Sequence, residues 1–390
     1  MKVLFISGGD YKYGAPKSML ELMIELKSSY GIEPVLLTKK QNPMNEQCDK
    51  LGIENYSFWY RDIMAGSAYK NPLLNVMKQC VKYVLYMYGG ITMHFIEHIG
   101  INFDEIDLIH TNLNRIDIGC YLSRKHHIPH IFHLREHGTT DDRVYVYKPK
   151  AYHYLNNHVN FFIAISHSVK KAWTKKGLFD NKINVIYNGL NTCGYHSNKH
   201  PGDGRIRIVM TGRIEPFKGQ DQLIKALGLL EKEFLSQIQV DLWGDVYNDY
   251  KVHLLHLIKQ YKLEAIVNFC GYCNDIPKKL SEYDIGIVCS KAEGFGRVTV
   301  EYMLAGLAVI ASNTGANPEI IQDNENGVLY SYGSEKHLAL QIEKYLKNPN
   351  LIKTHGTNAV QTALNKYTTT QYAENIYQLY QKVLKQNDEC

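Results

Sequence analysis

At 390 residues the chain is longer than one hydrophobic core usually supports, so two domains are the expectation. Its composition, 45% hydrophobic and 21% charged, is that of an ordinary soluble globular protein able to build sizeable cores. A net charge of +5 and a pI of about 8.5 suit anionic ligands or a membrane surface, but no run of Lys and Arg carries a nucleic-acid signature, so no nucleic-acid partner is expected.

The opening "MKVLFISGGDYKYG" has too short an apolar run for a signal peptide and reads as a buried first strand, "KVLFIS". A helix, "APKSMLELMIELKSSYG", and a second strand, "EPVLLT", follow it. No stretch reaches the roughly 18 uncharged apolar residues of a membrane span, so the expected location is the cytoplasm. Residues 69–98, "YKNPLLNVMKQCVKYVLYMYGGITMHFIEH", are rich in Tyr, Met and Leu, with Lys78 and Lys82 one turn apart. They have two readings: a helix lying in the interface of a membrane's inner face, or an ordinary core-facing helix of the first domain. The strands "DLIHTN", "HIFHLRE", "NFFIAIS" and "INVIYNG" come next, and the alternation predicts parallel strands with crossover helices.

Residues 191–205 are polar, rich in Gly, Asn and His and without periodicity, which marks a linker between a first domain, 1–190, and a second, 206–367. The second domain repeats the alternation: "IRIVMTG", a helix around "DQLIKALGLL", "QVDLWG", "VNFCGY", "YDIGIVCS", another helix and "LAVIAS". The last helix, within 368–390, is a candidate to pack back on the first domain. The fold class is therefore α/β, two Rossmann-like doubly wound domains facing a central cleft, with ligands expected at the carboxyl ends of the strands. The eight cysteines form no framework, and Cys270 and Cys273 in "FCGYCN" lack a second pair of ligands, so turn packing is set against a zinc or redox role.

The chemistry concentrates in "SKAEGFGRVTVEYMLAGLAVIASNTG", residues 290–315. A buried strand, a loop and a helix ended by Gly306 follow one another, so the loop sits where free N–H groups and the helix dipole attract an anion. Gly294 and Gly296 leave room for close approach to the backbone. Glu293 and Glu301 bracket this loop. A glycosidase acid/base pair is not excluded by their spacing. A carboxylate only accepts hydrogen bonds, however, and so suits vicinal hydroxyls. A nucleotide sugar, with a diphosphate between two diols, meets both demands; solvated helix-start glutamates are the plain alternative. In "MTGRIEPFKGQDQLIKAL", Arg213 and Lys218 leave the first strand of the same domain and could grip a diphosphate, the guanidinium with two donors and the ammonium as a point charge. Either residue alone reads as a surface charge.

These residues resemble the family 4 glycosyltransferases, retaining enzymes of the GT-B fold. "EGFGRVTVE" is similar to the family's E-x7-E element and "GRIEPFKG" to its "GR…KG" element; "VIYNGL", "AISHSVKKAW" and "TGANPEII" also match, and residues 40–100 match least. The resemblance implies that Arg213 and Lys218 neutralise a leaving diphosphate, that Gly212 belongs to the donor-binding set and that Glu301 binds ribose. Glu293, Gly294 and the backbone of Phe295, Gly296 and Arg297 would position the donor sugar. Gly14 and Ala15 in "SGGDYKYGAPKS", Asn188 and Gly189 in "VIYNGL", and Gly271 and Tyr272 in "FCGYCN" complete the implied donor-binding set. In "FHLREHG" the family places a His near the donor sugar; His133 is the first choice and His137 the second. Arg135, Glu136 and His137 fall on the acceptor side. Three departures stand out: Tyr302 where a small residue is usual, Ala308 for a frequent Pro, and Ala316 for a glycine.

The implied activity is transfer of a sugar, with retention, from a nucleotide diphosphate donor to a hydroxyl of a lipid-linked or oligosaccharide acceptor, as in surface polysaccharide assembly. The donor is taken as a UDP-sugar from its frequency in the family. No D-x-D stretch is present, so no metal and no cofactor are expected. A GT-B nucleotide-sugar epimerase, a non-catalytic partner subunit and a nicotinamide dehydrogenase are the competing readings; the last lacks a proper G-x-G-x-x-G.

Overall fold

The chain is seen in a computed structural model that describes residues 1–8, 14–66, 72–112, 115–138, 144–195, 204–246 and 248–388. It divides into two units, Met1–Gly189 with Thr369–Cys390, and Leu190–Thr368. Residues 9–13 of "SGGDYKYGAPKS", residues 67–71 and residues 196–203 of the expected linker lie outside the described residues.

The strands of the first unit are β1 (Lys2–Ile6), β2 (Glu33–Thr38), β3 (Glu54–Ser57), β4 (Met64–Gly66), β5 (Leu108–Thr111), β6 (His130–Leu134), β7 (Val144–Val146), β8 (Phe161–Ala164) and β9 (Ile183–Val185). Seven of them form a parallel sheet in the order β3-β2-β1-β5-β6-β8-β9, and β4 pairs antiparallel with β7 as a separate ribbon. Alternate residues of β1 serve opposite faces, as the period of two demands. Val3 and Phe5 enter a core with Met19, Met23 and Leu26 of the helix Gly14–Tyr30, while Leu4 and Ile6 enter another with Ile109 and Ile118. The final helix, Thr369–Asp388, lies on the first of these faces through Tyr372, Ile376, Tyr380 and Val383.

The second unit holds β10 (Ile206–Thr211), β11 (Ile238–Trp243), β12 (Val267–Gly271), β13 (Ile285–Val288), β14 (Ala308–Ser312) and β15 (Val328–Tyr330). All six are parallel, in the order β12-β11-β10-β13-β14-β15. β13 and β14 are buried from end to end, as strands covered by helices on both faces must be, and this explains their unbroken apolar runs. In each sheet the strand order reverses beside the first strand, at β1/β5 and at β10/β13. Adjacent connections there leave toward opposite faces and open a crevice at the strands' carboxyl ends. The residues that follow β10 and β13 are Gly212–Lys218 and Cys289–Gly296.

Candidate active site

In the second unit, Thr211 ends β10 and Gly212 follows at φ 122°, a left-handed conformation that an L side chain resists. Close by, Gly244 (φ 148°) follows β11, and a Cβ there would fall 1.9 Å from the Gly212 oxygen, so the two turns can touch only as bare backbone. Gly271, at the end of β12, accepts from the Gly244 N–H at 2.8 Å, and Tyr272 beyond it is exposed. A short helical turn, Pro216–Lys218, then brings Lys218 over the crevice, and Gly219 (φ 77°) lets the helix Gln220–Leu227 start against Cys289, whose oxygen lies 2.4 Å from where a Cβ would be.

Lys218 donates to Glu293 Oε1 at 2.7 Å, with both side chains largely buried at 20% and 14% exposure. The loop carrying Glu293 is held on two sides. Lys291 N–H donates to the Phe217 carbonyl at 3.0 Å, and the Glu293 carbonyl accepts from Ala316 N–H at 2.9 Å. Gly296 (φ 85°) then opens the helix Arg297–Leu304, which no side chain caps. Arg297 Nε donates to Glu301 Oε1 at 3.2 Å, one turn along. Phe295 is buried and packs edge-on to Tyr367 at 5.8 Å, and Gly294 is half-buried beside it.

Lys218, Glu293, Gly212 and the helix start therefore come together. Arg213 does not join them: its guanidinium is 57% exposed and lies 3.3 Å from Glu215, while its carbonyl accepts from Gln220 at 3.0 Å. The arrangement offers a cation and a helix start without a side-chain cap to an anion, beside two carboxylates that can accept from hydroxyls. Among the described residues no three His, Cys, Asp or Glu side chains gather as a metal-binding set. Cys270 and Cys273 are half-buried free thiols, and burial, then Asp241, pushes the Cys270 thiol up to about 11, which keeps it protonated at neutral pH.

The residues expected in the first unit fall into three groups. Arg135 donates from Nε to Asn112 Oδ1 at 2.5 Å, from one terminal nitrogen to Asn188 Oδ1, and from the other to the Tyr372 hydroxyl at 3.0 Å. Asn112 in turn donates to Ser7 Oγ at 3.0 Å and to the Ala15 carbonyl at 3.3 Å, so Ala15, Arg135 and Asn188 belong to one network across β1, β5 and β6. Gly14 (φ 39°) is exposed at the helix start, and Gly189 is buried after Asn188.

His133 forms the second group and is fully buried. Its Nδ1 lies 3.0 Å from His110 Nε2, and His110 Nδ1 lies 2.5 Å from the Tyr380 hydroxyl. Burial holds Tyr380 well above the usual phenol range, so its O–H stays. His110 Nδ1 is its one hydrogen-bond partner among the described residues, so donation there is the direction that leaves the buried O–H satisfied. Burial, then the Arg135 charge, holds both imidazoles well below their usual range, so each has a single N–H. The chain then runs Tyr380 O–H to His110 Nδ1, and His110 Nε2–H to His133 Nδ1. This puts the His133 proton on Nε2, an atom with no hydrogen-bond partner among the described residues. His137 and Glu136 make the third group: His137 Nε2 lies 2.8 Å from Ser168 Oγ, and Glu136 reaches Arg115 at 3.3 Å on the surface.

Residues 196–362 match the family described as Glycosyl transferases group 1, and residues 74–193 match Glycosyltransferase Family 4. A 41.2 kDa protein in the cps region of Klebsiella pneumoniae is 27% identical over 199 residues, 49% of this chain and 52% of that one. Bacillus subtilis EpsD is 31% identical over 175 residues, 44% of this chain and 45% of that one. The chain thus spans about half the length of these two relatives. Among solved structures, Anabaena HepE in complex with UDP superposes with a TM-score of 0.77 at 22% identity, covering 98% of this chain and 100% of that one. The chain belongs to the group 1, family 4 glycosyltransferases. Its fold is GT-B, with two parallel sheets and interleaved helices.

The chain accommodates Tyr302 through Gly286. The ring is fully buried, and a Cβ on Gly286 would lie 2.2 Å from it. The Tyr302 hydroxyl accepts from Thr211 N–H at 2.6 Å, so it fixes the last residue of β10 just ahead of Gly212 and Arg213. Replacing Gly286 by Ala is expected to cost about 1–3 kcal/mol of stability by overpacking. Turnover falls with it, and a denaturant series on Gly286→Ala, Tyr302→Ala and the pair should show strong non-additivity. Additive costs would mean the two positions do not share the space. Ala316 sits at an ordinary φ of −85°, so a glycine is not required for its hydrogen bond to Glu293.

Asn112, His110, Tyr372 and Tyr380 were not singled out in the sequence reading. The available signal was a polar residue inside a buried run, "DLIHTN", because burying His and Asn there demands partners.

Proposed function

We propose that the protein transfers a sugar, with retention of anomeric configuration, from a nucleotide diphosphate donor, a UDP-sugar, to a hydroxyl of a lipid-linked or oligosaccharide acceptor in surface polysaccharide assembly. The observation that carries this reading is the Lys218–Glu293 pair beside the helix start without a side-chain cap at the β10/β13 switch. An ammonium has three donors, so Lys218 can keep Glu293 and still meet a phosphate oxygen, while Glu293, an acceptor through both oxygens, suits a sugar hydroxyl. The bond from the anomeric carbon to the diphosphate breaks, the acceptor oxygen bonds to that carbon on the same face, and the acceptor proton leaves with the diphosphate. Lys218, and Arg213 on turning from Glu215, would stabilise the negative charge of the leaving group. Metal independence is part of the proposal and rests on these cations.

Other support comes from the relatives: UDP and UDP-glucose are bound in HepE crystals, and one relative lies in a cps region. From the first unit, Arg135, Glu136 and His137 are proposed for the acceptor side. Attachment to the inner face of a membrane belongs to the same reading, since a lipid-linked acceptor would lie there.

A donor screen by thermal shift tests this directly. A ligand present at 100 times its Kd adds about 2.7 kcal/mol of stability, so a UDP-sugar should raise the melting temperature visibly. UDP release from that donor should then persist in EDTA. Loss of release that manganese restores would overturn the metal-free part. An isomeric sugar formed without acceptor would replace the transferase by an epimerase.

A further inference from the structure

The helix Pro72–Thr92 is inside out. Its buried stripe carries Asn75, Gln79, Tyr86 and Gly89, one or two turns apart. This face is fastened by polar contacts: Gln79 accepts from the Tyr147 hydroxyl, and Arg61 lies over the Tyr86 ring at 4.5 Å while its guanidinium holds Asp117 at 2.9 Å. At Gly89 a Cβ would lie 2.5 Å from Arg61 Cβ, so the helix is drawn close to the unit there. The outward face carries Val76, Met77, Val81, Val84, Leu85 and Ile91, with Val76 58% and Val84 and Ile91 65% exposed. The core-facing alternative therefore fails for this helix, whose apolar side chains point away from the unit that holds it, while Met93 and Ile96 just beyond it do enter the core. A helix with this composition normally turns its apolar stripe inward.

The helix cannot cross a bilayer, since no described helix is long and apolar enough. It is 21 residues long, about 30 Å at 1.5 Å per residue, and suits a position parallel to a surface. Its charges are of one sign. Between Asp62 and Glu97 the sequence has no Asp or Glu, whereas Lys78 and Lys82 lie at the edge of the apolar face. Partial burial, then the charge of Lys78, lowers the Lys82 pKa, a crowding of positive charge that an anionic neighbour would relieve. Exposed Tyr83 and Tyr88 add rings with a polar tip, the side chains that settle at the headgroup level. A second copy packed symmetrically on this face would bring like cations together. We infer that the outward face of the helix Pro72–Thr92 docks, in the plane of the surface, on a bilayer containing anionic lipids.

This docking rests on burial and charge and not on the sugar-transfer reading, so either can fail alone. Sedimentation with phosphatidylcholine vesicles, with and without phosphatidylglycerol, is the test. The protein should pellet with the anionic vesicles at low salt and be released by high salt. Val81→Glu and Val84→Glu change exposed positions, so thermal melting should stay unaltered while vesicle partitioning falls about tenfold or more. Lys78→Gln with Lys82→Gln should weaken the phosphatidylglycerol dependence. Anionic vesicles should also shield Cys80, exposed on the same helix, from a soluble maleimide while Cys193 of the second unit stays reactive. Absence of binding at low salt, partitioning untouched by either Glu variant, or a dimer that those variants dissolve would each overturn the inference.

Discussion

Replacing Lys218 by alanine lowers turnover by roughly 10²–10³-fold, the usual loss when one preorganised group facing a developing negative charge is removed. On the proposed sugar transfer the fall is expected in kcat and kcat/KM together, because the departing diphosphate carries more charge than the bound one. The complication is Glu293, which the variant leaves largely buried without its 2.7 Å partner. Removing one member of a largely buried ion pair costs stability by itself. The double variant Lys218→Ala/Glu293→Ala separates the two effects. It should regain part of the stability lost by Lys218→Ala and none of the turnover. Recovery of turnover in the double variant would mean that the ion pair was structural and that the leaving group is stabilised elsewhere. Arg213→Ala is the weaker member of the series, because its guanidinium lies on the surface against Glu215 and must move to contribute.

How far the sequence reached can be judged at individual side chains. The apolar runs in "YDIGIVCS" and "LAVIAS" are buried strands, as read, and the helix expected after the loop forms, which brings Arg297 and Glu301 together one turn apart. The Lys218–Glu293 pair lies 75 residues apart in the chain. It depends on β10 and β13 being neighbours, which local pattern does not report. The same is true of His110 and Tyr380, separated by 270 residues and joined only because the final helix lies over β5. The helix Pro72–Thr92 is instructive for a different reason. A periodic apolar stripe says that a helix has two unlike faces but not which of them the protein covers, and here Gln79 and Asn75 found partners inside while the valines did not.

The first unit should lose stability steeply as the pH falls below about 6.5, the unfolded histidine value. His110, His130 and His133 are all fully buried. Burial, then Arg135, holds His110 and His133 far down, and burial takes His130 to about 3. The titratable and charged groups facing the first two are few: Arg135, each other's ring, His130 toward His110, and the neutral hydroxyls of Tyr380 and Tyr372. His130 faces Thr111 at 2.8 Å and the Cys120 thiol at 3.7 Å. The sign follows from proton uptake. Between the folded and unfolded values the unfolded chain binds more protons, so stability is full above about pH 6.5 and drains away as the pH falls toward the folded values. Each such histidine contributes up to about 1.4 kcal/mol per pH unit in that window, so three reach about 4 kcal/mol per unit before other groups are counted. Denaturant melts at pH 7.5, 6.5 and 5.5, read by hydrogen exchange of the β5 and β6 amides, measure the slope within the first unit. His133→Asn keeps a polar partner for His110 and removes one titrating group, so it should lower stability at pH 7.5 yet flatten the slope by about one proton. An unchanged slope in that variant would mean that His133 is protonated alike in the folded and unfolded chain, and the Nε2–H assignment built on its neutrality would fall with it.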